Sequence, residues 1–214
     1  MQIAVLIFEN LTALDAIGPY EVLQRLPGAE VVFVGETTGL RRTDTKFLGI
    51  NADRSISEVH SADILVVPGG FGEEQVRQRP NVLQWVRDIH ATTKWTTSVC
   101  TGALILGAAG ILKGLKATTH WASMAKLTDF GAIPTHERVV EQGKIITAAG
   151  VSSGIDMALR LAARITGDTV AQAIQVVIEY DPQPPFDGAP MRAPEAVLKV
   201  CADRYSRPGA TPRE

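Results

Sequence analysis

Lys94-Trp95-Thr96-Thr97-Ser98-Val99-Cys100-Thr101-Gly102-Ala103-Leu104-Ile105-Leu106 changes character at its midpoint. The first six residues, β-branched and aromatic, read as a strand. Gly102 onward is small and aliphatic, a run of good helix formers. Cys100 therefore stands where a strand turns sharply into a helix. Unpaired N–H groups and the positive end of the helix dipole lie beside such a sulfur. They favour thiolate and can bring a cysteine pKa from about 8.5 into roughly the 3.5–7.5 range. The same arrangement with serine is the strained elbow of many hydrolases. A second reading stays open, because free cysteine also serves as a small buried hydrophobe.

Working outward, short apolar strands alternate with helical stretches on both sides of this junction. Residues 2–8, Val31–Val34 and Ile64–Val67 are continuous apolar runs, as expected for strands buried on two faces. Pro19 suits the first turn of a helix reaching about Leu26, and Pro80 opens another that runs to Thr92. Residues 36–60 are mixed and read as a small hairpin with connections. Arg138–Val140 and Ile145–Thr147 flank Glu141-Gln142-Gly143-Lys144 as a second hairpin. Two amphipathic helices follow, one carrying Ile155, Ala158, Leu159 and Ala162 and stopped by Gly167, the next carrying Val170, Ile174 and Val177. The alternation predicts an α/β protein with a mostly parallel sheet and helices on both faces. Asp181-Pro182-Gln183-Pro184-Pro185-Phe186 forbids regular helix and predicts an extended arm. Arg192 to about Tyr205 then reads as a last helix, with a frayed tail from Ser206.

The bulk properties narrow the function classes. A chain of 214 residues with 45% apolar content supports one sizeable core. A net charge of −2 gives no electrostatic reason to expect nucleic acid or an anionic membrane as partner. The N-terminal apolar run has no basic flank and meets Glu9 early, so it reads as a strand rather than a signal peptide. No apolar stretch reaches membrane-span length. The two cysteines, Cys100 and Cys201, are far apart and lack metal-ligand spacing, as do the histidines. The expectation is a cytoplasmic protein with no disulfide and no metal.

Chemistry concentrates in three loops that each follow a strand: Leu14–Glu21, Pro68–Gly72 and Cys100–Gly102. In an open parallel sheet such loops meet at the carboxyl edge, where ligands bind. Asp15 is either a helix cap or a carboxyl held over the sulfur, where burial would raise its pKa toward neutrality. Gly69 and Gly70 either make a tight turn or let a backbone N–H approach a reacting atom. They form no nucleotide fingerprint. Thr101 offers a backbone N–H beside the sulfur and a hydroxyl able to orient water or Asp15. His120 is the histidine placed to reach the site. Ile17, Phe71 and Trp121 are candidates to line a pocket.

These loops, in this order, resemble the DJ-1/PfpI superfamily, and within it the isonitrile hydratases. The likeness is carried by Leu14-Asp15, by Val67-Pro68-Gly69-Gly70 and above all by the run from Thr97 to Trp121. The Gly131–Arg138 segment and the stretch from Glu179 through Phe186 add to it. It spans about residues 2–187 and implies one domain over 1–187 with a C-terminal extension, 188–214. The resemblance implies a flavodoxin-like three-layer sandwich, a homodimer and no cofactor. It casts Cys100 as nucleophile, Asp15 as acid/base and Thr101 as the supporting hydroxyl, acting on a small isonitrile through a thioimidate. Gly69, Gly70, Ile17, Phe71, His120 and Trp121 would then surround substrate. Relatives with other activities leave two alternatives: a PfpI-like peptidase or glyoxalase-type enzyme, and a DJ-1-like redox or ligand sensor. PfpI-like relatives place histidine directly after the cysteine, and here that position is Thr101, which counts against proteolysis.

Overall fold

The computed structural model describes residues 1–205; the predicted frayed tail from Ser206 lies outside them. The core is a seven-stranded sheet ordered β10-β11-β7-β6-β1-β2-β5. Its strands are β1 (Gln2–Leu6), β2 (Glu30–Gly35), β5 (Arg54–Ser55), β6 (Ile64–Val67), β7 (Trp95–Val99), β10 (Val139–Gln142) and β11 (Ile145–Ala148). All pairings are parallel except β10 with β11. β3 (Gly39–Arg42) and β4 (Gly49–Ala52) form the hairpin expected within residues 36–60, and β8 (Lys116–Ala117) pairs with β9 (Ile133–Pro134).

Helices cover both faces, and β7 shows how. Val99 faces Gly154 in α5 (Ser153–Thr166), where an added Cβ would lie 3.0 Å from its side chain, whereas Thr96 meets His90 of α3 (Pro80–Thr92). Residues at odd spacing on a strand point to opposite faces, so the two helices lie on opposite sides. α1 (Ala13–Leu23) and α6 (Asp168–Val177) pack with α5; α2 (Glu73–Arg77) and α4 (Gly102–Ala108) pack with α3. Ile3, Leu6, Ile64, Leu65 and Val66 are sealed between these layers, which explains why β1 and β6 are apolar without alternation. The expected three-layer architecture is what the chain adopts.

α1 departs from expectation. Pro19 sits inside the helix, not in its first turn, because the helix already begins at Ala13. Packing overrides proline's local preference: Pro19 lies against Gly154, where an added Cβ would come within 3.2 Å of the ring. Starting the helix six residues earlier puts Asp15 in its first turn, over the sheet edge. Beyond α6 the Asp181–Gly188 arm is exposed, and α7 (Glu195–Tyr205) leaves Val197 and Val200 in solvent. Among the described residues no helix is long and apolar enough to cross a membrane.

Candidate active site

After β1 the chain runs to β2 on one side and returns through β6 to the other, so the switch point of the sheet lies between β1 and β6. Crevices outside such switch points are where open α/β sheets bind ligands. Asp15 follows β1, Gly69 follows β6, Cys100 follows β7, and a fourth loop, Ala149–Ser152, follows β11. All four meet here.

Cys100 has φ 56°, the left-handed region that a residue with a Cβ rarely enters. The turn stays tight because Gly102 presses on β6: a Cβ there would lie 2.1 Å from the Val67 carbonyl oxygen. The Cys100 N–H donates to the Ala149 carbonyl at 2.7 Å, and its own carbonyl accepts from the Thr119 hydroxyl at 2.8 Å. The side chain is 5% exposed. The Thr101 and Val151 backbone N–H groups lie near enough to the sulfur to lower the thiol pKa, and the Asp15 carboxyl lies near enough to raise it.

Asp15 is fully buried. It is not a helix cap; its Oδ2 accepts from the Gly69 N–H at 3.0 Å, and Oδ1 is buried with no conventional hydrogen-bond partner among the described residues. Burial raises its pKa to about 7, against the lowering effects of the Gly69 N–H and of Cys100. The expectation of a depressed thiol pKa needs correction. Burial is the largest influence on Cys100 and pushes the thiol up, and the Asp15 charge adds to that, against the two N–H donors. Two adjacent buried anions are what the site disfavours, so ionisation of either group opposes ionisation of the other.

The glycine loop differs from expectation in a related way. The Gly69 N–H is committed to Asp15, and the Gly70 N–H donates to Thr101 Oγ1 at 3.0 Å. Gly69 is required because a Cβ would sit 2.5 Å from Thr101 N and Oγ1; Gly70, at φ +129°, would drive one into Thr12 N at 2.4 Å. Both glycines thus hold the other loops together instead of offering free donors. Thr101 Oγ1 faces Gly70 and not Asp15. Its N–H and that of Val151 are the pair at the sulfur.

The structure brings Cys100, Asp15, Thr101, Gly69 and Gly70 together, with Gly69 hydrogen-bonded to Asp15 and Gly70 to Thr101. His120 is half-buried, with its ring 3.1 Å from where a Cβ on Gly150 would stand, and burial lowers its pKa. Trp121 packs beside that ring and is 42% exposed. Phe71 is 45% exposed beyond Gly70, and Ile17 is half-buried on α1. Sequence reasoning missed Val151 and Thr119. The signal for Val151 was a small-residue run, Ala148-Ala149-Gly150-Val151-Ser152-Ser153-Gly154, at a strand-to-helix junction like that of Cys100. Among the described residues no group of three or more His, Cys, Asp or Glu side chains is arranged to hold a metal ion.

A cysteine in a left-handed elbow, beside a buried acid from the helix after the first strand, defines the class: the chain belongs to the DJ-1/PfpI family, which it matches over residues 1–164. It is 41% identical over 205 residues to the isonitrile hydratase of Pseudomonas putida, covering 95% of this chain and 90% of that protein. A ThiJ/PfpI family protein from Pseudomonas syringae superimposes with a TM-score of 0.89 at 37% identity, over 94% of this chain and 86% of that one. Drosophila melanogaster DJ-1beta shares the fold, with a TM-score of 0.75 at 20% identity over 85% of this chain and 98% of the other.

Proposed function

We propose that this protein is an isonitrile hydratase, converting R–N≡C and water to the N-substituted formamide R–NH–CHO. The observation that carries the reading is the fully buried Asp15 carboxyl beside the left-handed Cys100, with burial raising the Asp15 pKa to about 7. The likeness to the Pseudomonas putida enzyme supplies the substrate class.

An isonitrile carbon must gain both a nucleophile and a proton, and the pair supplies both from one side. In the reactive form Cys100 is thiolate, steadied by the Thr101 and Val151 N–H groups, and Asp15 is the acid. Sulfur bonds to the terminal carbon while Asp15 delivers its proton to that same carbon, giving the thioimidate R–N=CH–S. Asp15, now carboxylate, takes a proton from water as the hydroxide adds to the carbon, and passes that proton to nitrogen. The intermediate R–NH–CH(OH)–S then collapses: the C–S bond breaks, thiolate leaves, and the hydroxyl proton returns to Asp15. The starting state is restored and one water is consumed. Dividing the addition into two steps through a covalent intermediate lowers each barrier, and an acid titrating near the working pH serves in both directions.

In this reading Ile17, Phe71, His120 and Trp121 surround the isonitrile substituent, Gly69 and Gly70 fix the loops, and the working unit is a homodimer. Purified protein incubated with cyclohexyl isocyanide should release N-cyclohexylformamide, and Cys100→Ala should not. Turnover by the alanine variant at the wild-type rate would end the proposal. Light scattering after gel filtration tests the dimer.

A further inference from the structure

Thr119 lies 19 residues beyond the cysteine, is 1% exposed, and donates its hydroxyl to the Cys100 carbonyl at 2.8 Å. That carbonyl belongs to the peptide plane joining Cys100 to Thr101. In a trans peptide the C=O and the following N–H lie in one rigid plane and point in opposite directions. The N–H of this plane is that of Thr101, which lies beside the Cys100 sulfur and lowers the thiol pKa. The preceding plane is pinned separately, through the Cys100 N–H to the Ala148 and Ala149 carbonyls at 3.1 and 2.7 Å. Between the two pinned planes sits the φ of 56°. Thr119 therefore holds the second plane from behind, on the side away from the sulfur.

We propose that Thr119 is a positioning residue for the nucleophile: its hydroxyl, by fixing the Cys100–Thr101 peptide plane, keeps the Thr101 N–H on the Cys100 sulfur. The inference rests on reading Cys100 as the reacting group. It adds a neutral side chain to the site, which makes the test free of charge effects. The titratable group facing the sulfur is Asp15, from α1. The loop before α5 presents the Val151 N–H, and His120, next to Thr119, packs its ring on Gly150. Replacing Thr119 by valine changes none of these charges.

The experiment follows alkylation of Cys100 by iodoacetamide between pH 5 and 10, read on the Cys100 peptide by mass spectrometry so that Cys201 does not contribute. Thr119→Val should raise the apparent thiol pKa by about one unit and slow alkylation at pH 7 by about fivefold to tenfold, as expected for loss of a hydrogen bond to the ionised form. Thr119→Ser, which keeps the hydroxyl, should stay within about twofold of wild type at pH 7. A merely structural threonine would lower the melting temperature and leave the pH profile in place; that result overturns the proposal. Should the valine variant not fold, Thr119→Ala is read in the same way. If neither folds while the serine variant does, the hydroxyl serves stability and the proposal also falls. Wild-type Cys100 inert at every pH would instead remove the nucleophile reading beneath it.

Discussion

Strand β7 runs between two buried polar clusters of opposite design. At its start, Thr96 Oγ1 lies 2.8 Å from His90 Nδ1 and 2.7 Å from Thr93 Oγ1, and Thr93 donates to the His90 carbonyl at 3.0 Å. With the proton on Nδ1 every group in that ring donates and accepts in turn. The Lys144 ammonium closes the end of α3 by donating to the His90 and Thr93 carbonyls. At the other end of the strand stand a left-handed cysteine, a buried acid with one oxygen short of a partner, and a thiol whose charge burial opposes. One cluster is satisfied and the other is not. Satisfied polar networks specify a fold; unsatisfied ones are retained where chemistry needs them.

The largest break in this comparison comes from the reacting end. On the proposed mechanism Cys100→Ala should abolish formamide production, a loss of about a thousandfold or more in kcat if Cys100 is the covalent nucleophile, with the circular dichroism spectrum unchanged. Asp15→Asn should follow, losing about a hundredfold to ten-thousandfold in kcat.

Asp15→Asn also sharpens the comparison through stability. The Asp15 pKa rises from 3.8 to about 7 on folding, so the native state binds more protons than the unfolded state between those values. Its stabilising effect is full below about pH 4 and is lost as pH rises through about 7, on the order of 4 kcal/mol at most. His90 works the other way. Burial, then the Lys144 charge, lowers its pKa, so its contribution is present above the ordinary histidine value and is lost as pH falls through the lowered one. Melting temperatures across pH 4–8 should therefore decline more steeply toward pH 8 in wild type than in Asp15→Asn. Parallel curves would show that Asp15 is not the buried acid of the folded state.

The satisfied end predicts the reverse phenotype. Thr96→Val leaves His90 Nδ1 and the Thr93 hydroxyl short of a partner at a buried position. Denaturant unfolding should show a loss of about 1–3 kcal/mol, while the pH dependence of hydratase turnover stays as in wild type. A shifted pH profile would mean that the two ends of β7 are coupled.

The difference between the ends also explains what the sequence disclosed. α3 over Pro80–Thr92, β6 over Ile64–Val67 and the hairpin before α5 were legible because proline, β-branched runs and Gly143 act locally. Cys100 and Asp15 were legible as residues at strand ends. The raised pKa of a buried Asp15 was legible too, but that of the thiol was not: the sequence shows a helix N-terminus beside it, whereas the desolvation that outweighs it comes from residues distant in the chain. The start of α1 was misread for the same reason, since Pro19 is tolerated mid-helix only because Gly154 makes room across the layer. The Val151 N–H and the Thr119 hydroxyl act from loops that reach Cys100 only once the sheet order is known.

Ser98 offers the smallest and most discriminating test. It lies on β7 between the two clusters, on the same face as Thr96, and its hydroxyl is buried without a hydrogen-bond partner among the described residues. An unpaired buried hydroxyl carries a desolvation cost that alanine, one oxygen smaller, does not. If every unsatisfied group near the carboxyl edge served catalysis, Ser98→Ala would impair turnover. Among the described residues Ser98 hydrogen-bonds neither to the Asp15 carboxyl nor to the N–H donors at the sulfur, so the expected result is unchanged kcat and KM. Stability should rise by a few tenths to about 1 kcal/mol, from the removed desolvation less a small void. A drop in kcat with stability unchanged would extend the reacting end of β7 two residues back from Cys100. A loss of stability would show that the hydroxyl has a partner and belongs with Thr96.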